Sequence, residues 1–386
     1  MQSGVLNICQ ASDLGDPYRV MIVDDSAIIR GFLSRWLDAE SDIEVVAFAA
    51  TGVVALREFE RIRPEVIILD IEMPEMDGLT ALPKLVELDP DVQIIMASTL
   101  TRRNATISLK ALSNGAADYI AKPESTRSPE ERELFQRNLI DKVRALGVRR
   151  RAVHSKGRGP VQFPPQSLNI KEMAEKNTPV RPAINLRTMV KTPRPKAIAI
   201  GASTGGPQAL FELFAGLKGK ITLPIFITQH MPATFTAILA EHLGKIYQKE
   251  CAEAKDGETI TDNRVYVAPG NWHMTVIGDE KQAKIRLNQA PPENYCRPSV
   301  DPMLRSLQTV YGGQVLTIML TGMGQDGLLG CQKLVASDAP VIAQDEKTSV
   351  VWGMPGKVAN AGLCNFVLPL QDIPLAIENL TMARPL

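Results

Sequence analysis

Short apolar runs separated by amphipathic stretches set the rhythm of this chain from residue 18 to about residue 124. Arg19 to Val23 is an apolar run ending in Asp24-Asp25, and a helical pattern follows from Ala27 to Leu37. Val45 to Ala49 predicts a second strand, Gly52 to Arg61 a second helix, and Val66 to Leu69 a third strand that stops at Asp70. Helix Leu79 to Leu88, strand Gln93 to Ala97, helix Asn104 to Asn114 and strand Asp118 to Ala121 continue the alternation. A last helix is expected from about Pro129 to Leu146. Alternating β and α segments with nearly continuous apolar strands predict a doubly wound parallel sheet.

The polar residues of this half gather where such sheets bind ligands, at the carboxyl ends of the strands. Asp24, Asp25, Asp70, Ser98, Thr99 and Lys122 all fall there. Three carboxylates brought together repel one another, and a hard divalent ion such as Mg²⁺ resolves the repulsion while still accepting phosphate oxygens. Lys122 then supplies a point charge for a phosphoryl group on Asp70, with a hydroxyl from Ser98 or Thr99 alongside. The bland reading of any one aspartate is a loop-starter or helix N-cap; three of them with a Lys-Pro after the fifth strand weigh against it.

Val23-Asp24-Asp25-Ser26, Leu69-Asp70-Ile71-Glu72-Met73-Pro74-Glu75-Met76-Asp77-Gly78 and Lys122-Pro123 stand in an order and spacing that resembles response-regulator receiver domains. The resemblance implies that Asp70 accepts a phosphoryl group from a histidine kinase and that Asp24 and Asp25 hold Mg²⁺. It implies a backbone contribution from Glu72, places Ser98 as the hydroxyl that follows phosphorylation, and gives Tyr119 the position of the switch aromatic.

Residues 147–195 break the alternation. They carry eleven Lys and Arg against two Glu, with seven prolines and few periodic apolar runs, so an extended linker is expected. Arg149-Arg150-Arg151 with Lys156 and Arg158 has the charge of a nucleic-acid patch but no stacking aromatics or DNA-reading helix, which favours a solvated linker start.

From Lys196 the α/β pattern returns. Ala197 to Ile200 predicts a buried strand and Gln208 to Phe214 a helix, so Ser203 sits on the turn between them. Gly201 to Gly205 fits G-x-S-x-G, which exposes a serine hydroxyl at the sheet edge beside a helix N-terminus able to stabilise an oxyanion. A phosphate-cradling loop and a plain tight turn remain open for this segment alone. Leu223 to Thr228 predicts a strand, Phe235 to Tyr247 a helix, and Arg264 to Ala268, Met274 to Ile277 and Lys284 to Leu287 a hairpin insertion. Helix Val300 to Tyr311, strand Val315 to Leu320, helix Leu328 to Ala336, strand Pro340 to Gln344 and helix Ile373 to Leu380 complete the chain. Three units are therefore expected: 18–146, a linker 147–195, and 196–386.

A chain of 386 residues with 45% hydrophobic and 22% charged content has the composition of globular protein. Its formal net charge of zero predicts no general attraction to nucleic acid or anionic membrane. No uncharged apolar run approaches the roughly 20 residues that span a bilayer, and the N-terminus lacks a basic, apolar signal pattern. Five scattered cysteines without a C-x-x-C pair fit a reducing cytoplasm rather than a disulfide framework.

A nucleophilic Ser203 needs a base, and the chain has four histidines. His154 lies in the basic segment and His242 within a helix. His230 follows its strand as Ser203 follows its own, and parallel neighbours bring the two ends together, so His230 is favoured over His273. Asp326, on a third strand-to-helix turn, is favoured over Asp301 to orient the imidazole. Cys296 has no histidine near it in sequence and is a poor nucleophile candidate. The order Ser, His, Asp departs from the α/β-hydrolase order.

The strings Gly201-Ala202-Ser203-Thr204-Gly205-Gly206, Gln229-His230-Met231-Pro232, Ala268-Pro269-Gly270 followed by His273, Arg297-Pro298-Ser299-Val300-Asp301 and Thr321-Gly322-Met323-Gly324-Gln325-Asp326-Gly327 resemble the catalytic domain of the CheB family of chemotaxis protein-glutamate methylesterases. The resemblance implies an α/β fold of two doubly wound parallel-sheet domains joined by a long linker. It implies a Ser203, His230, Asp326 triad and an oxyanion site at the Met323 backbone with Thr204 nearby. Expected partners are methyl-accepting chemoreceptors and a histidine kinase, with no nucleic acid, no membrane insertion and no cofactor for the esterase. Demethylation of glutamyl methyl esters, deamidation of glutamines and activation by phosphorylation are the implied functions. A nucleotide-binding oxidoreductase would want G-x-G-x-x-G and an acid about 20 residues on, which this segment does not offer. A DNA-binding regulator would want a basic or helix-turn-helix output domain, which 196–386 lacks.

Overall fold

The computed structural model describes residues 16–99, 101–122, 129–157, 184–188 and 194–382. The central part of the expected linker, residues 158–183 and 189–193, and Pro123 lie outside the described residues.

In the first domain β1 (Tyr18–Val23), α1 (Ala27–Leu37), β2 (Ile43–Ala49), α2 (Gly52–Ile62), β3 (Val66–Asp70), α3 (Gly78–Leu88), β4 (Gln93–Ser98), α4 (Arg102–Ser113), β5 (Asp118–Ala121) and α5 (Pro129–Gly157) follow one another. The five strands pair in the order β2-β1-β3-β4-β5, all parallel. The chain reverses its direction of travel across the sheet between β1 and β3, which opens a crevice above their carboxyl ends. The central strands are buried on both faces: every residue of β3 and β4 is buried. Three helices start on side-chain caps, with Ser26, Thr51 and Asp77 accepting the backbone N–H of Ile29, Val54 and Thr80.

Helix α5 corrects the expected boundary at Leu146 by running on to Gly157. Local composition favours a linker there, but tertiary ion pairs hold the extension in place. Arg150 bonds Asp89, and its Nη1 lies 3.5 Å from Asp91. Arg151 donates from Nε to Glu65 at 2.6 Å, and its guanidinium carbon lies 4.3 Å from the centroid of the Tyr18 ring. Arg150 and Arg151 are therefore engaged within their own domain rather than spread in solvent.

The second domain adds β6 (Ala197–Ala202), α6 (Gly206–Leu217), β7 (Ile225–Gln229), α7 (Ala233–Tyr247), β8 (Glu250–Glu253), β9 (Arg264–Val267), β10 (His273–Ile277), β11 (Lys284–Asn288), α8 (Val300–Tyr311), β12 (Val315–Met319), α9 (Leu328–Val335), β13 (Val341–Gln344), α10 (Met354–Asn360), β14 (Phe366–Leu368) and α11 (Ile373–Met382). Seven strands pair in parallel in the order β14-β13-β12-β6-β7-β9-β8. Ile198 and Ile200 of the central β6 are fully buried, each contributing about 2 kcal/mol through lost apolar surface.

The expected hairpin insertion is smaller than the sequence pattern suggests. Only β10 and β11 form an antiparallel hairpin, whereas Arg264 to Val267 joins the main sheet beside β7. Burial gives the reason: Val265, Tyr266 and Val267 are all inaccessible, as a two-faced core strand requires, while β10 buries Met274 and Val276 but leaves Thr275 half-buried and Ile277 exposed. Strands β8 and β14 and helix α10 go unnoticed in the sequence pattern. They span four, three and seven residues, and α10 opens on Met354-Pro355-Gly356, a weak helical signal. No helix among the described residues is long and apolar enough to cross a membrane.

Candidate functional site

The order β12-β6-β7 sets three strand ends side by side, and each feeds a turn that carries one residue of the site. Ala202 pairs with Gln229, and the His230 N–H donates to the Ala202 carbonyl at 3.1 Å, so His230 leaves its strand beside Ser203. Met319 pairs with Gly201, and the turn that continues β12 delivers Asp326 from the other side. The strand order reverses between β6 and β12, the position at which open sheets hold their ligands.

The Ser203 turn is held by its backbone. Its N–H donates to Thr321 O at 3.0 Å, and its carbonyl accepts from Gln229 Nε2 at 2.9 Å and from Gly206 N at 2.8 Å. Gly205 has φ +74°, a left-handed conformation that disfavours other residues, and it starts α6. A Cβ on Gly322 would lie 2.8 Å from Ser203 Cβ, so only glycine lets the two turns approach. The Thr204 and Met323 N–H groups find no acceptor among the described residues, which leaves both available to a developing oxyanion.

His230 and Asp326 are joined by a 2.8 Å bond from His230 Nε2 to Asp326 Oδ2. Asp326 also accepts from Ser299 Oγ (2.7 Å), Asn294 Nδ2 (3.1 Å) and the N–H groups of Val300 (2.6 Å), Asp301 (3.1 Å) and Gly327 (2.9 Å). Two of those amides open α8, so a helix N-terminus faces the carboxylate. Burial alone would push Asp326 upward, but the His230 ring, the Ser299 hydroxyl and the Val300 N–H overcome it and hold the carboxyl down at about 2. Asp326 is therefore a fixed anion.

One expected contact is not formed. With Nε2 committed to Asp326, Nδ1 is the nitrogen left for Ser203, yet it faces Cys296 Sγ at 3.4 Å. The Ser203 hydroxyl makes no hydrogen bond among the described residues. The sequence reading of Cys296 as having no histidine nearby is thereby corrected: 66 positions separate the two residues, but the fold brings them into contact. Burial draws the His230 pKa down, while the Cys296 and Asp326 groups raise it to a net value above the ordinary histidine range.

The rivals take supporting places. His273 is 1% exposed; its Nδ1 accepts the Ser299 N–H at 3.2 Å and its Nε2 bonds Pro291 O at 3.2 Å, so neither ring nitrogen is free. Asp301 accepts the Gly330 N–H at 2.6 Å and shares Asn294 with Asp326. Burial raises the Asp301 pKa, the Gly330 N–H works against this, and Asp326 adds to it. Asn294 and Ser299 are the residues that sequence reasoning missed. Ser299 stands in the quoted Arg-Pro-Ser-Val-Asp string, the one signal that pointed to it.

In the first domain, Asp24 follows β1, Asp70 ends β3, Ser98 ends β4 and Lys122 follows β5. One ligand oxygen each from Asp24, Asp25 and Asp70 lies within 4.8 Å of the others. Lys122 Nζ is 2.6 Å from Asp24 Oδ2 and 2.7 Å from Asp70 Oδ1. Burial raises Asp70 to about 6 against the opposing charge of Lys122, and Asp24 adds to the rise. A cluster of three carboxylates and one ammonium retains an excess of negative charge and offers only hard oxygen donors, a set that suits a small divalent cation. Ser98 and Tyr119 are buried, and Glu72 is exposed two residues beyond Asp70.

The CheB methylesterase family profile matches residues 198–377, and the response regulator receiver domain profile matches residues 20–131. A protein-glutamate methylesterase/protein-glutamine glutaminase of Azospirillum brasilense is 53% identical over 363 residues, covering 93% of this chain and 91% of its own. A protein of the same description from Paramagnetospirillum magneticum is 52% identical over 375 residues, covering 96% and 97%. The crystal structure of the Thermotoga maritima CheB methylesterase catalytic domain aligns with 49% of this chain and 98% of its own at 36% identity and a TM-score of 0.47.

Proposed function

The chain belongs to the protein-glutamate methylesterase/protein-glutamine glutaminase family, and from that premise we propose that it hydrolyses glutamyl methyl esters and glutamine side-chain amides of methyl-accepting chemoreceptors under the control of a phosphoryl group on Asp70. The observation that carries this reading is the His230–Asp326 pair at the strand end adjoining the Ser203 turn. Ser203 Oγ attacks the ester carbonyl and His230 Nδ1 takes its proton. The anionic Asp326 stabilises the imidazolium through Nε2. The ring is presented the other way round from the serine-protease arrangement, in which Nδ1 faces the carboxylate; the chemistry needs only one nitrogen for each partner.

The oxyanion is met by the Thr204 and Met323 amides. The imidazolium then protonates the leaving oxygen, and methanol departs with cleavage of the carbonyl C–O bond. For a glutamine substrate, ammonia departs with cleavage of C–N. Water attacks the acyl-serine carbonyl, His230 again acting as base, and the glutamate side chain is released.

In the first domain an Asp70 oxygen attacks phosphorus of a phosphohistidine on a partner histidine kinase, and the P–N bond breaks as the imidazole leaves. Asp24, Asp25 and Asp70, with the Glu72 backbone, would hold Mg²⁺. The ion supplies charge neutralisation for the phosphoryl oxygens. Lys122 bonds the phosphoryl group, Ser98 follows it, and Tyr119 responds as the switch aromatic. We assign residues 18–157 to this receiver and 196–386 to the esterase, with the linker beginning after α5. Cys251, Cys296, Cys331 and Cys364 are free thiols, which suits a cytoplasmic location.

The test is release of methanol from radiolabelled methylated receptor membranes. The full-length protein is expected to release it, faster after phosphorylation of Asp70. An Asp70→Asn protein is expected to stay at the basal rate whatever phosphodonor is added. Absence of methanol release from phosphorylated, folded protein overturns the reading.

A further inference from the structure

We propose that Cys296 is a positioning residue for His230: its thiol holds Nδ1 in the resting site and competes there with the Ser203 hydroxyl. The inference rests on the reading of Ser203 and His230 given above. Its geometric basis is the 3.4 Å contact between Cys296 Sγ and His230 Nδ1, the nitrogen left after Nε2 has gone to Asp326. A thiol S–H and a serine O–H are donors of the same kind toward a ring nitrogen, and Nδ1 has one lone pair. While the thiol occupies it, Ser203 has no base.

The placement of Cys296 is fixed by a tight turn. Cys296 N–H donates to Glu293 O at 2.9 Å and Glu293 N–H donates to Cys296 O at 3.2 Å, closing residues 293–296 into a loop. Asn294 and Tyr295 at its apex have φ of 51° and 62°, the left-handed pair such a turn demands. Asn294 donates to both Asp301 and Asp326, so the turn is anchored to the carboxylate that orients the histidine. Arg297, the next residue, donates to Asn271 Oδ1 at 2.7 Å and to the carbonyls of Gln289 and Ala290. The backbone that carries the thiol is therefore held from both sides.

A thiol differs from a hydroxyl in that it ionises within reach of physiological pH. Transfer of the thiol proton to Nδ1 gives a thiolate–imidazolium pair in which His230 is no longer a base. The other groups around the ring are Asp326, in direct contact, Asp301 behind it and the Glu293–Arg305 pair on the neighbouring turn and α8. Asp326 and a Cys296 thiolate both favour the imidazolium. Removing Cys296 therefore moves the rising limb of the pH–rate profile, which reports loss of the imidazolium proton, to lower pH.

The test compares kcat/KM against pH for the unmodified full-length protein, Cys296→Ala and Cys296→Ser, with methylated receptor as substrate. Both variants are expected to move the limb down by about one unit, which is roughly a tenfold gain at a pH on the limb. Serine keeps a donor near Nδ1 but does not ionise, so a shift in both variants marks the thiol's proton rather than its bulk. Superimposable profiles overturn the proposal.

A second readout does not depend on Ser203. Iodoacetamide alkylates a thiolate by forming S–C as C–I breaks, with iodide leaving and the thiol proton retained by Nδ1. At pH 7 Cys296 is expected to react at least tenfold faster than Cys251, whose burial raises its pKa to about 12. His230→Gln, which keeps a polar side chain in place, is expected to abolish that advantage, as read by peptide mass spectrometry. Equal Cys296 reactivity with and without His230 overturns the coupling. Because alkylation is measured equally well in Ser203→Ala, failure of the esterase reading and failure of this one give different results.

Discussion

Ser299 links His273 to Asp326: its N–H donates to His273 Nδ1 at 3.2 Å while its hydroxyl donates to Asp326 Oδ1 at 2.7 Å. His273 thus acts on the site at two removes, by fixing the backbone of a residue that bonds the carboxylate. His273→Ala is expected to cost stability and about tenfold in methanol release, whereas His230→Ala costs nearly as much as loss of the nucleophile, because triad members act as a unit. A folded His273→Ala protein that loses as much activity as His230→Ala refutes this division of roles.

Ser203→Ala is expected to abolish ester hydrolysis while leaving phosphorylation of Asp70 unchanged. Among the described residues Ser203 bonds only through its backbone, so its hydroxyl can be deleted without disturbing the turn. Circular dichroism and phosphoryl incorporation control for folding. Near-normal turnover by this variant removes serine from the mechanism.

Asp326 predicts an acid sensitivity with a defined sign. Its pKa is depressed in the folded state, so the stability it contributes is full above about pH 4 and is lost as pH falls toward 2. The difference is about 2 kcal/mol, and the side chain is 2% exposed, so solvent screening takes little from it. Urea unfolding at pH 5 and pH 3 should show the gap between unmodified protein and Asp326→Asn narrowing as pH falls. A gap of constant size contradicts the assignment.

For the phosphoryl site, Mg²⁺ is expected to raise the unfolding temperature of the receiver. Asp24→Asn should weaken that effect at least tenfold in midpoint concentration, since a hard divalent ion gains most of its affinity from charged oxygen ligands. Chelator should reverse the stabilisation. The same Mg²⁺ dependence in Asp24→Asn as in unmodified protein places the ion elsewhere.

Arg150→Ala is expected to destabilise the receiver by about 1–2 kcal/mol, because the side chain is 10% exposed and its charge-assisted bonds to Asp89 are lost. Differential scanning calorimetry reads this as a lower melting temperature for one transition. An unchanged transition means that the end of α5 is not anchored through this residue.

Much of this was legible from local pattern. Apolar runs such as Val66–Leu69 and Ala197–Ile200 predict buried strands because a parallel strand has core on both faces, and the first polar residue beyond each run, Asp70 and Ser203, marks the carboxyl edge of a sheet. The neighbours of the site were not legible in the same way. Asn294, Ser299 and Cys296 reach His230 and Asp326 across 27 to 66 positions, along a turn whose course is set by tertiary contacts. Arg150 and Arg151 read as linker because their partners, Asp89 and Glu65, lie 61 and 86 residues away. Val265 to Val267 read as part of a hairpin because its pairing with β7 is a matter of topology, which no window along the chain contains.

The donors gathered on Asp326 differ in what mutation can do to them. Those of Val300, Asp301 and Gly327 are main-chain amides, which side-chain substitution leaves in place and which only proline deletes outright. The Ser299 and Asn294 bonds can be lost one at a time, and each loss leaves the carboxylate still surrounded. The anion at the centre of the site is thus buffered against single side-chain changes, because three of its donors belong to the main chain.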